Sequence, residues 1–256
     1  MPDANPFDEN YFKSGTYATV SFGKYSQYWW ANRFYATLAR RYAPKSGRVL
    51  ELGCGLGHLL GRFTDRYQAY GIDINEWALE QARQNVPQGN FFLRSAEDLS
   101  TPLLPSSSPL PPEDPFRSAS FQIVISKHNV EHLPDPARSV AEMGRLLAPG
   151  GVLVLATPNL DSLMRGVKKE QWIGYRDKTH ISLKPPAEWL RLVKVNGMQP
   201  FKVFSDGFWD APYMPFIPAR LQKLFFGAPG GLQAILGLTL IPLRWGESII
   251  ILAKKT

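Results

Sequence analysis

Three glycines alternate with other residues in the segment VLELGCGLG, at Gly53, Gly55 and Gly57. Glycine is needed where the chain turns with positive φ, or where backbone must approach a ligand more closely than a Cβ allows. Glu51 precedes the first of them, and its carboxylate would repel a phosphate group. The dinucleotide fingerprint Gly-x-Gly-x-x-Gly also requires a glycine where this chain has His58. The loop is therefore expected to hold a ligand with a positively charged end.

Asp73 ends the next apolar run, YQAYGID, twenty residues after Gly53. An ionised carboxylate at this place can accept hydrogen bonds from both hydroxyls of a ribose. Enzymes that bind NAD use the same device, so Asp73 alone does not discriminate. Together, Glu51 and Asp73 around a glycine loop predict S-adenosylmethionine, whose amino group and sulfonium are both positive.

Four segments of the chain resemble the motifs of the class I S-adenosylmethionine-dependent methyltransferases, over about residues 46–198. VLELGCGLG resembles their cofactor loop and GIDIN their ribose-binding motif, while SAEDL occupies the place of the segment that contacts adenine. The pattern FQIVIS...VEHLPDP...LLAPGGVLVLATPN resembles their fourth strand, the following helix and the fifth strand. The resemblance implies an α/β fold with a doubly wound, Rossmann-like, seven-stranded and mostly parallel sheet, with helices on both faces.

The resemblance also implies which residues hold the cofactor. The family often has Asp where this chain has Ser95, so we expect the amide of Ala96, rather than a side chain, to meet the adenine ring. The expected cofactor-binding residues are Glu51, Gly53, Gly55, Gly57, Asp73, Ile74, Ser95, Ala96, Glu97 and Ser126.

A second polar group follows the fourth apolar run, in SKHNVEHLPD. Methyl transfer from a sulfonium requires an aligned acceptor lone pair and exclusion of water, and it requires a base only where the acceptor must lose a proton. His128 is the candidate base. The alternative is that His128 is a polar residue lining the cofactor pocket.

This second group is closest, by resemblance, to quinone-biosynthesis O-methyltransferases, some of which hold a divalent metal through a Glu-x-x-Glu-His arrangement. The corresponding residues here are His128, Glu131 and His132, and this His-x-x-Glu-His cluster could bind a borderline metal. The sequence favours no metal, because the Glu-His pair is often only a structural and cofactor-facing element.

His180, in GYRDKTHISL, is the second candidate for catalysis. It either points into the acceptor pocket with Tyr175 and Arg176, or packs against Trp172 and fixes the loop. His58 is expected on the surface of a helix that follows the glycine loop.

Short apolar runs that alternate with helical patterns between residues 46 and 160 predict parallel strands joined by crossover helices. Asn75 is expected to cap one helix, and Asp135 with Pro136 to begin another that ends at Pro149-Gly150-Gly151. A third helix is expected near 186–196, ending at Gly197. The strands are predicted at 48–52, 67–73, 91–95, 121–126, 151–157, 201–205 and 247–255, and residues 100–120 are predicted to form a long surface loop.

The whole chain, 1–256, is expected to be one methyltransferase domain. Residues 1–45 would form an aromatic N-terminal helical cap, 46–160 the cofactor-binding core and 161–256 the acceptor-side half, with an insertion at about 206–246 before the last strand. The aromatic side chains of the cap could close over the site as a lid or belong to the core; they are Tyr11, Phe12, Tyr17, Tyr25, Tyr28, Trp29 and Trp30.

The formal net charge of +7 is concentrated in one half of the chain. Residues 1–160 carry 15 basic and 15 acidic side chains, whereas residues 161–256 carry 14 and 7. A surface of one sign raises the local concentration of the opposite charge, so the second half favours an anionic partner. A solvated basic face is the alternative.

The insertion is apolar and aromatic between residues 213 and 245, with cations at Arg220, Lys223 and Arg244. It could lie in a membrane interface, cover the acceptor pocket or form a dimer contact. The single cysteine, Cys54, excludes a disulfide framework, and the start of the chain lacks the features of a secretory signal. We therefore expect a cytoplasmic protein without a transmembrane helix and with optional peripheral membrane contact.

These observations predict an enzyme that moves a methyl group to a small-molecule or glycan- or lipid-linked acceptor, and the resemblance alone favours oxygen as the acceptor atom. One alternative is an RNA methyltransferase that uses the basic second half. It is weakened because the chain has no Asn-Pro-Pro-Tyr-type motif, no cysteine beyond Cys54 to act as a nucleophile and no appended RNA-binding module. Another alternative is a non-catalytic protein that senses the cofactor.

Overall fold

The structure, a computed structural model, describes residues 7, 9–13, 20–101 and 114–256. The predicted aromatic residue Tyr17 and most of the predicted surface loop lie outside the described residues. In the described part, no helix is both long enough and apolar enough to cross a membrane.

Seven strands form one sheet in the order β3-β2-β1-β4-β5-β7-β6. The first five strands run parallel, and β7 is antiparallel to both β5 and β6. This arrangement confirms the predicted seven-stranded, mostly parallel sheet. The strands are β1 (Gly47–Leu52), β2 (Tyr67–Asp73), β3 (Asn90–Leu93), β4 (Phe121–Lys127), β5 (Leu147–Pro158), β6 (Met198–Ser205) and β7 (Ser248–Lys255).

Strand order reverses between β1 and β4, because the chain first builds outward through β2 and β3 and then returns to pair with the other side of β1. In open α/β sheets, ligands bind outside the carboxyl ends of the strands at such a switch point. The glycine loop follows β1 and the polar group follows β4, so the topology brings the two groups together at one edge.

Helices cover both faces of the sheet. Side chains of neighbouring strand residues point to opposite faces, so Val49 packs in one core layer and Leu50 in the other. Within the described residues the helices are α1 (Glu9–Lys13), α2 (Gln27–Tyr42), α3 (Glu76–Asn85), α4 (Pro136–Leu146), α5 (Leu163–Lys168), α6 (Ile173–Arg176), α7 (Pro186–Val195) and α8 (Ala219–Leu236). The first core layer lies against α2, α3 and α8, and the second against α4 and α7.

The predicted helix starts are present in the structure. The side chain of Asn75 accepts a hydrogen bond from the Ala78 amide at 3.1 Å, and that of Asp135 accepts one from the Arg138 amide at 3.3 Å, with Pro136 in the first turn. Each cap satisfies an amide that the helix itself leaves unpaired.

The predicted C-terminal end of α4, the helix that begins at Pro136, is wrong. α4 ends at Leu146, and β5 begins at Leu147 because that residue pairs with Phe121 of β4. Strand pairing therefore begins before the Pro-Gly-Gly sequence that was expected to stop the helix. β3 likewise ends at Leu93, which leaves Ser95 in the loop that follows.

The expected α-helix directly after the glycine loop is also wrong. The three glycines have φ values of +69°, +49° and +77°, which a right-handed helix excludes, and only a 3₁₀ turn, Leu60–Arg62, follows. His58 therefore lies in a turn rather than on a helix surface. Its ring stacks on Phe22 with the centroids 5.1 Å apart.

The insertion contains α8, which the sequence analysis did not assign. Glycines 227, 230 and 231 and Pro229 within α8 disfavour a helix locally, so tertiary contacts stabilise it. Arg33 of α2 donates to the carbonyl of Ile235 at 2.9 Å, and the side chain of Gln233 donates to the carbonyl of Ser205 at 2.8 Å.

Candidate functional site

The glycine loop turns sharply over the end of β2. The amides of Gly53 and Cys54 both donate to the carbonyl of Ile72, at 2.9 and 3.0 Å. The next amide, that of Gly55, donates to the carboxylate of Asp73 at 2.9 Å. The loop and the acidic residue thus form one hydrogen-bonded unit.

Both oxygens of Asp73 accept backbone hydrogen bonds, one from Gly55 and the other from Asn75 at 3.0 Å. Burial raises the pKa of Asp73 above its ordinary value, against the lowering effect of hydrogen bonds from Gly55, Asn75 and Ile74. A carboxylate has about four lone-pair sites, so three backbone donors leave acceptor capacity for a ribose hydroxyl. Ile74, beside it, is exposed.

Asn129 packs against the glycine loop, a contact that the sequence analysis missed. A Cβ added to Gly53 would lie 2.4 Å from Asn129 Oδ1, so only glycine permits this close approach. The Nδ2 of Asn129 is buried and has no hydrogen-bond partner among the described residues. The only signal in the sequence is that Asn129 directly follows His128 after β4.

Glu51 is buried at the end of β1 and faces a buried lysine. Burial raises the pKa of Glu51 to about 8, although the charge of Lys127 favours its ionised form. Burial likewise lowers the pKa of Lys127 to about 8. The ammonium of Lys127 donates to Asn32 at 2.8 Å and lies 4.3 Å from the ring centre of Tyr28, which stabilises a cation inside the fold.

The Oε2 of Glu51 also has no hydrogen-bond partner among the described residues. A buried acceptor, Glu51 Oε2, and a buried donor, Asn129 Nδ2, therefore lie beside the glycine loop without hydrogen-bond partners among the described residues. These are the atom types that an ammonium and a carboxylate would satisfy. The donor set fits the amino-acid part of S-adenosylmethionine.

The segment that follows β3 lies beside Asp73, whose carbonyl accepts a hydrogen bond from the Arg94 amide at 2.9 Å. Ala96 is buried there, and the hydroxyl of Ser95 accepts a hydrogen bond from the Glu97 amide at 3.2 Å. The carboxylate of Glu97 accepts a hydrogen bond from the Asp135 amide at the start of α4. Ser95 and Glu97 thus stabilise the segment, and the Ala96 backbone remains the candidate contact for adenine.

Ser126, another expected cofactor residue, is fully buried. Its hydroxyl has no hydrogen-bond partner in the described part of the chain. Ser126 pairs with Leu52 near the carboxyl ends of β4 and β1, and its contact with the cofactor stays a prediction.

His128 and Glu131 form a hydrogen-bonded pair at the end of β4. His128 Nδ1 lies 3.2 Å from Glu131 Oε1, and Glu131 Oε2 accepts from the Thr157 hydroxyl at 3.1 Å. Burial raises the pKa of Glu131, but the hydrogen bond from His128 and the nearby histidine charges hold it below the ordinary value. His128 has φ +50°, and its Nε2 lies 3.5 Å from the hydroxyl of Ser248. Because the carboxylate of Glu131 is hydrogen-bonded to Nδ1 of His128, Nε2 is the ring nitrogen that can exchange a proton.

The structure groups one different residue with Glu131 and His132 than the metal alternative of His128, Glu131 and His132 does. Among the described residues, the ligand atoms that lie within 4.8 Å of one another belong to Glu131, His132 and His180. His128 contacts Glu131 through Nδ1 but is not part of this group, whereas the fold brings His180 against His132, with ring centroids 4.8 Å apart.

The hydrogen bonds of His180 favour the loop-fixing alternative. Its Nδ1 bonds to the carbonyl of Gly174 at 2.8 Å. A Cβ at Gly174 would overlap the Trp172 ring, and the indole N–H of Trp172 donates to the buried carboxylate of Glu247 at 2.5 Å. The ring of Tyr175 packs edge-on against Trp172, with centroids 5.1 Å apart, and its hydroxyl accepts a hydrogen bond from Arg165 at 3.0 Å.

Phe7 and Phe12, in the first described residues of the N-terminal cap, lie over the same edge of the sheet. A Cβ at Gly55 would lie 3.6 Å from the ring of Phe12, which also contacts Trp77 at 5.8 Å between centroids. Phe7 packs edge-on against His132 at 5.2 Å. These contacts support the lid alternative for this segment.

A small pocket of about 240 Å³ lies on the α2 side of the glycine loop. Its lining combines aromatic rings with polar side chains: Phe22, Tyr28, Trp29, Asn32, His58, Gly61 and Arg62. A larger and shallower depression of about 760 Å³ lies at the opposite end of β1 and β2, around Arg48 and Tyr67. We assign the site to the carboxyl ends because the switch point and the glycine loop are there.

The sheet order with its reversed β7, the glycine loop and the acidic end of β2 together define an S-adenosylmethionine-dependent methyltransferase. A family model described as a methyltransferase domain matches residues 25–202, and the chain belongs to this family.

Curated relatives agree with this assignment. A probable S-adenosylmethionine-dependent methyltransferase of Mycolicibacterium smegmatis is 32% identical over 135 residues, covering 52% of this chain and 46% of the relative. A ubiquinone biosynthesis O-methyltransferase of Thiobacillus denitrificans is 30% identical over 169 residues, covering 61% of this chain and 67% of the relative. The chain thus spans about half the length of the first of these two relatives.

Solved structures confirm the fold. The YcgJ protein of Bacillus subtilis superposes with a TM-score of 0.57 at 18% identity, covering 88% of this chain and 98% of that one.

Proposed function

We propose that this protein methylates a small-molecule or glycan- or lipid-linked acceptor at oxygen, and that His128 is the base. The observation that carries the proposal is that the glycine loop and the His128–Glu131 pair lie at the same edge of the sheet. The Asp73-bonded glycine loop is on β1 and the His128–Glu131 pair is on β4, with Asn129 packed between them. The O-methyltransferase names of several relatives support oxygen as the acceptor atom.

The cofactor residues have distinct roles in this proposal. Glu51 attracts the ammonium of S-adenosylmethionine, the backbone at Gly53, Gly55 and Gly57 permits its close approach, and Asp73 accepts the ribose hydroxyls. The amide of Ala96 contacts adenine, with Ile74 against the ring. The bound cofactor supplies an electrophilic methyl group on a sulfonium.

The chain's own residues prepare the acceptor. His128 Nε2 takes the proton of the acceptor hydroxyl, and the bound cofactor would supply the methyl group to that oxygen, its sulfur leaving as a neutral thioether. Glu131 holds the ring through Nδ1 and stabilises the positive charge that the ring acquires. The aromatic rings of the N-terminal cap exclude water, which in-line displacement requires.

Labelling tests the reaction and the acceptor class. The protein is incubated with S-adenosylmethionine carrying a labelled methyl group and with fractionated cell extract. We expect label in a lipid or glycan fraction, in a linkage with the stability of an ether. Label in RNA would favour the RNA alternative, and no label in any fraction would favour a non-catalytic cofactor sensor.

A chelator tests the metal alternative at Glu131, His132 and His180. Both oxygens of Glu131 already accept hydrogen bonds from His128 and Thr157, so we expect turnover to survive chelation unchanged. Loss of turnover that a borderline divalent metal restores would contradict this expectation and assign a metal to the cluster.

A further inference from the structure

α8 carries its apolar side chains outward. Six exposed residues, spaced three, four or seven apart, lie on one side of the helix and form what we term its outer face. The outer face consists of Leu221, Leu224, Phe225, Leu232, Ile235 and Leu236. Leu224 is 63% exposed and Phe225 is 70% exposed, far more than a core-facing helix position allows.

The inner face of α8 carries two buried glutamines beside the small residues Gly230 and Ala234. Gln222 is buried and exchanges hydrogen bonds with the backbone of Tyr213, Met214 and Ile217. Gln233 is buried and bonds to the backbone of Ser205 and of residues 240 and 241. These bonds fix the orientation of the helix, so the exposure of the outer face is built into the fold.

The charges around α8 indicate what covers the outer face. Residues 211–246 contain no acidic side chain, and Arg220 and Lys223 lie near the beginning of the helix. At the other end, Arg33 donates to the Ile235 carbonyl, and the guanidinium of Arg41 lies beside Gly237. Both ends of the apolar face are therefore cationic.

We propose that the outer face of α8 binds the surface of an anionic lipid bilayer. An amphipathic helix with an apolar face and flanking cations lies in the plane of a membrane interface, with its cations near the anionic headgroups. The helix is not long and apolar enough to span the bilayer, which leaves an in-plane position. Phe216, 96% exposed just before α8, and the exposed ring of Trp245 after it are suited to the same interface.

A second copy of the chain fits this surface less well. In a twofold contact each helix meets the same surface of its partner. Because both ends of α8 are cationic, parallel and antiparallel pairing alike bring cations together, with no acidic side chain between residues 211 and 246 to balance them.

Membrane contact would place the proposed active site next to the lipid. Gln233 of α8 bonds to Ser205, and the adjacent Asp206 accepts a hydrogen bond from the amide of Ser248, whose hydroxyl faces His128. This step, which specifies a membrane-embedded acceptor, rests on the proposed function. Vesicle binding does not rest on the proposed function, because it is measured without methyl transfer. The membrane proposal and the proposed methyltransferase function can therefore each fail while the other holds.

Flotation with vesicles tests the surface. The full chain is mixed with vesicles of phosphatidylcholine containing about one third phosphatidylglycerol, and with phosphatidylcholine alone. We expect binding to the anionic vesicles that weakens with added salt. Phe225→Asp should weaken it at least about tenfold, because an apolar contact is lost. Arg220→Gln and Lys223→Gln should weaken it about fivefold each.

Val195→Asp is the matched control, since Val195 is an equally exposed apolar residue on α7, on the opposite face of the sheet. It should leave vesicle binding unchanged. Cofactor affinity and thermal unfolding, measured for every variant, show that each is folded. Failure of the wild-type chain to bind anionic vesicles would overturn the proposal. So would a dimer that Phe225→Asp converts to a monomer while vesicles bind neither form.

Discussion

Replacing Gly53 by alanine tests whether the glycine loop is shaped by its contact with Asn129. The new Cβ would lie 2.4 Å from Asn129 Oδ1 and 2.9 Å from Asn129 Cβ. Because the second atom is next to the backbone, rotating the asparagine side chain cannot relieve the overlap. Gly150 provides a matched control, since its φ of +76° resembles the +69° of Gly53 but no atom lies within 4 Å of its added Cβ.

The two substitutions share one penalty and differ in the other. Alanine in a left-handed conformation costs roughly 1–2 kcal/mol, and this penalty lowers the stability of both variants. Overpacking against Asn129 adds about 1–3 kcal/mol in Gly53→Ala alone. We therefore expect the free energy of unfolding to fall by about 2–5 kcal/mol in Gly53→Ala and by about 1–2 kcal/mol in Gly150→Ala.

Urea unfolding measures the stability, and calorimetry with S-adenosylhomocysteine measures the affinity. Gly53→Ala should weaken cofactor binding at least about tenfold, because the loop must shift, whereas Gly150→Ala should leave it unchanged. Adding Asn129→Gly to Gly53→Ala should recover part of the lost stability. Equal losses in the two alanine variants, with unaltered affinity in both, would refute the proposed packing of the loop.

Three further predictions concern single side chains of the site. Asp73→Asn turns one acceptor into a donor that faces a backbone amide, so the Kd of S-adenosylmethionine should rise about 10- to 100-fold by calorimetry, while exposed Asp161→Asn should not change it. His128→Ala should lower kcat by at least about a hundredfold while the cofactor Kd changes little; equal losses of both would make His128 a pocket wall. Burial raises the pKa of Glu51 from its ordinary value near 4.5 to about 8, so between these values the folded chain binds more protons than the unfolded chain, and stability falls as pH rises. The ammonium of S-adenosylmethionine favours the ionised form of Glu51, so cofactor binding near pH 7 should release a proton. Glu51→Gln should flatten the pH dependence of stability and abolish this release, as measured in buffers of different ionisation enthalpy; unchanged proton release would assign it to another group.

Much of the fold could be predicted because its signals are local. Alternating apolar runs predicted seven strands, and Asn75 and Asp135 were recognised as caps because a cap bonds an amide three residues away. The limits of the elements were less accurate. α4 ended early because Leu147 pairs with Phe121, a contact between separate parts of the chain.

The candidate site divides in the same way. The glycines and Asp73 could be recognised as one cofactor motif from residue type and spacing. Neither the packing of Asn129 on Gly53 nor the approach of His180 to His132 could be foreseen, since both depend on how segments far apart in the chain meet at the sheet edge.

The amino-acid order alone thus specified the sheet, the cofactor loop and the acidic residues around it, since backbone preferences and hydrophobic alternation act over a few residues. Folding in three dimensions established which histidines face one another and which way α8 turns. The sequence of α8 is compatible with burying its apolar side chains. The buried side chain of Gln233 donates to the carbonyl of Ser205, 28 residues away, and this long-range hydrogen bond directs the outer face to solvent. Such bonds join residues whose proximity exists only once the sheet and its insertion have assembled.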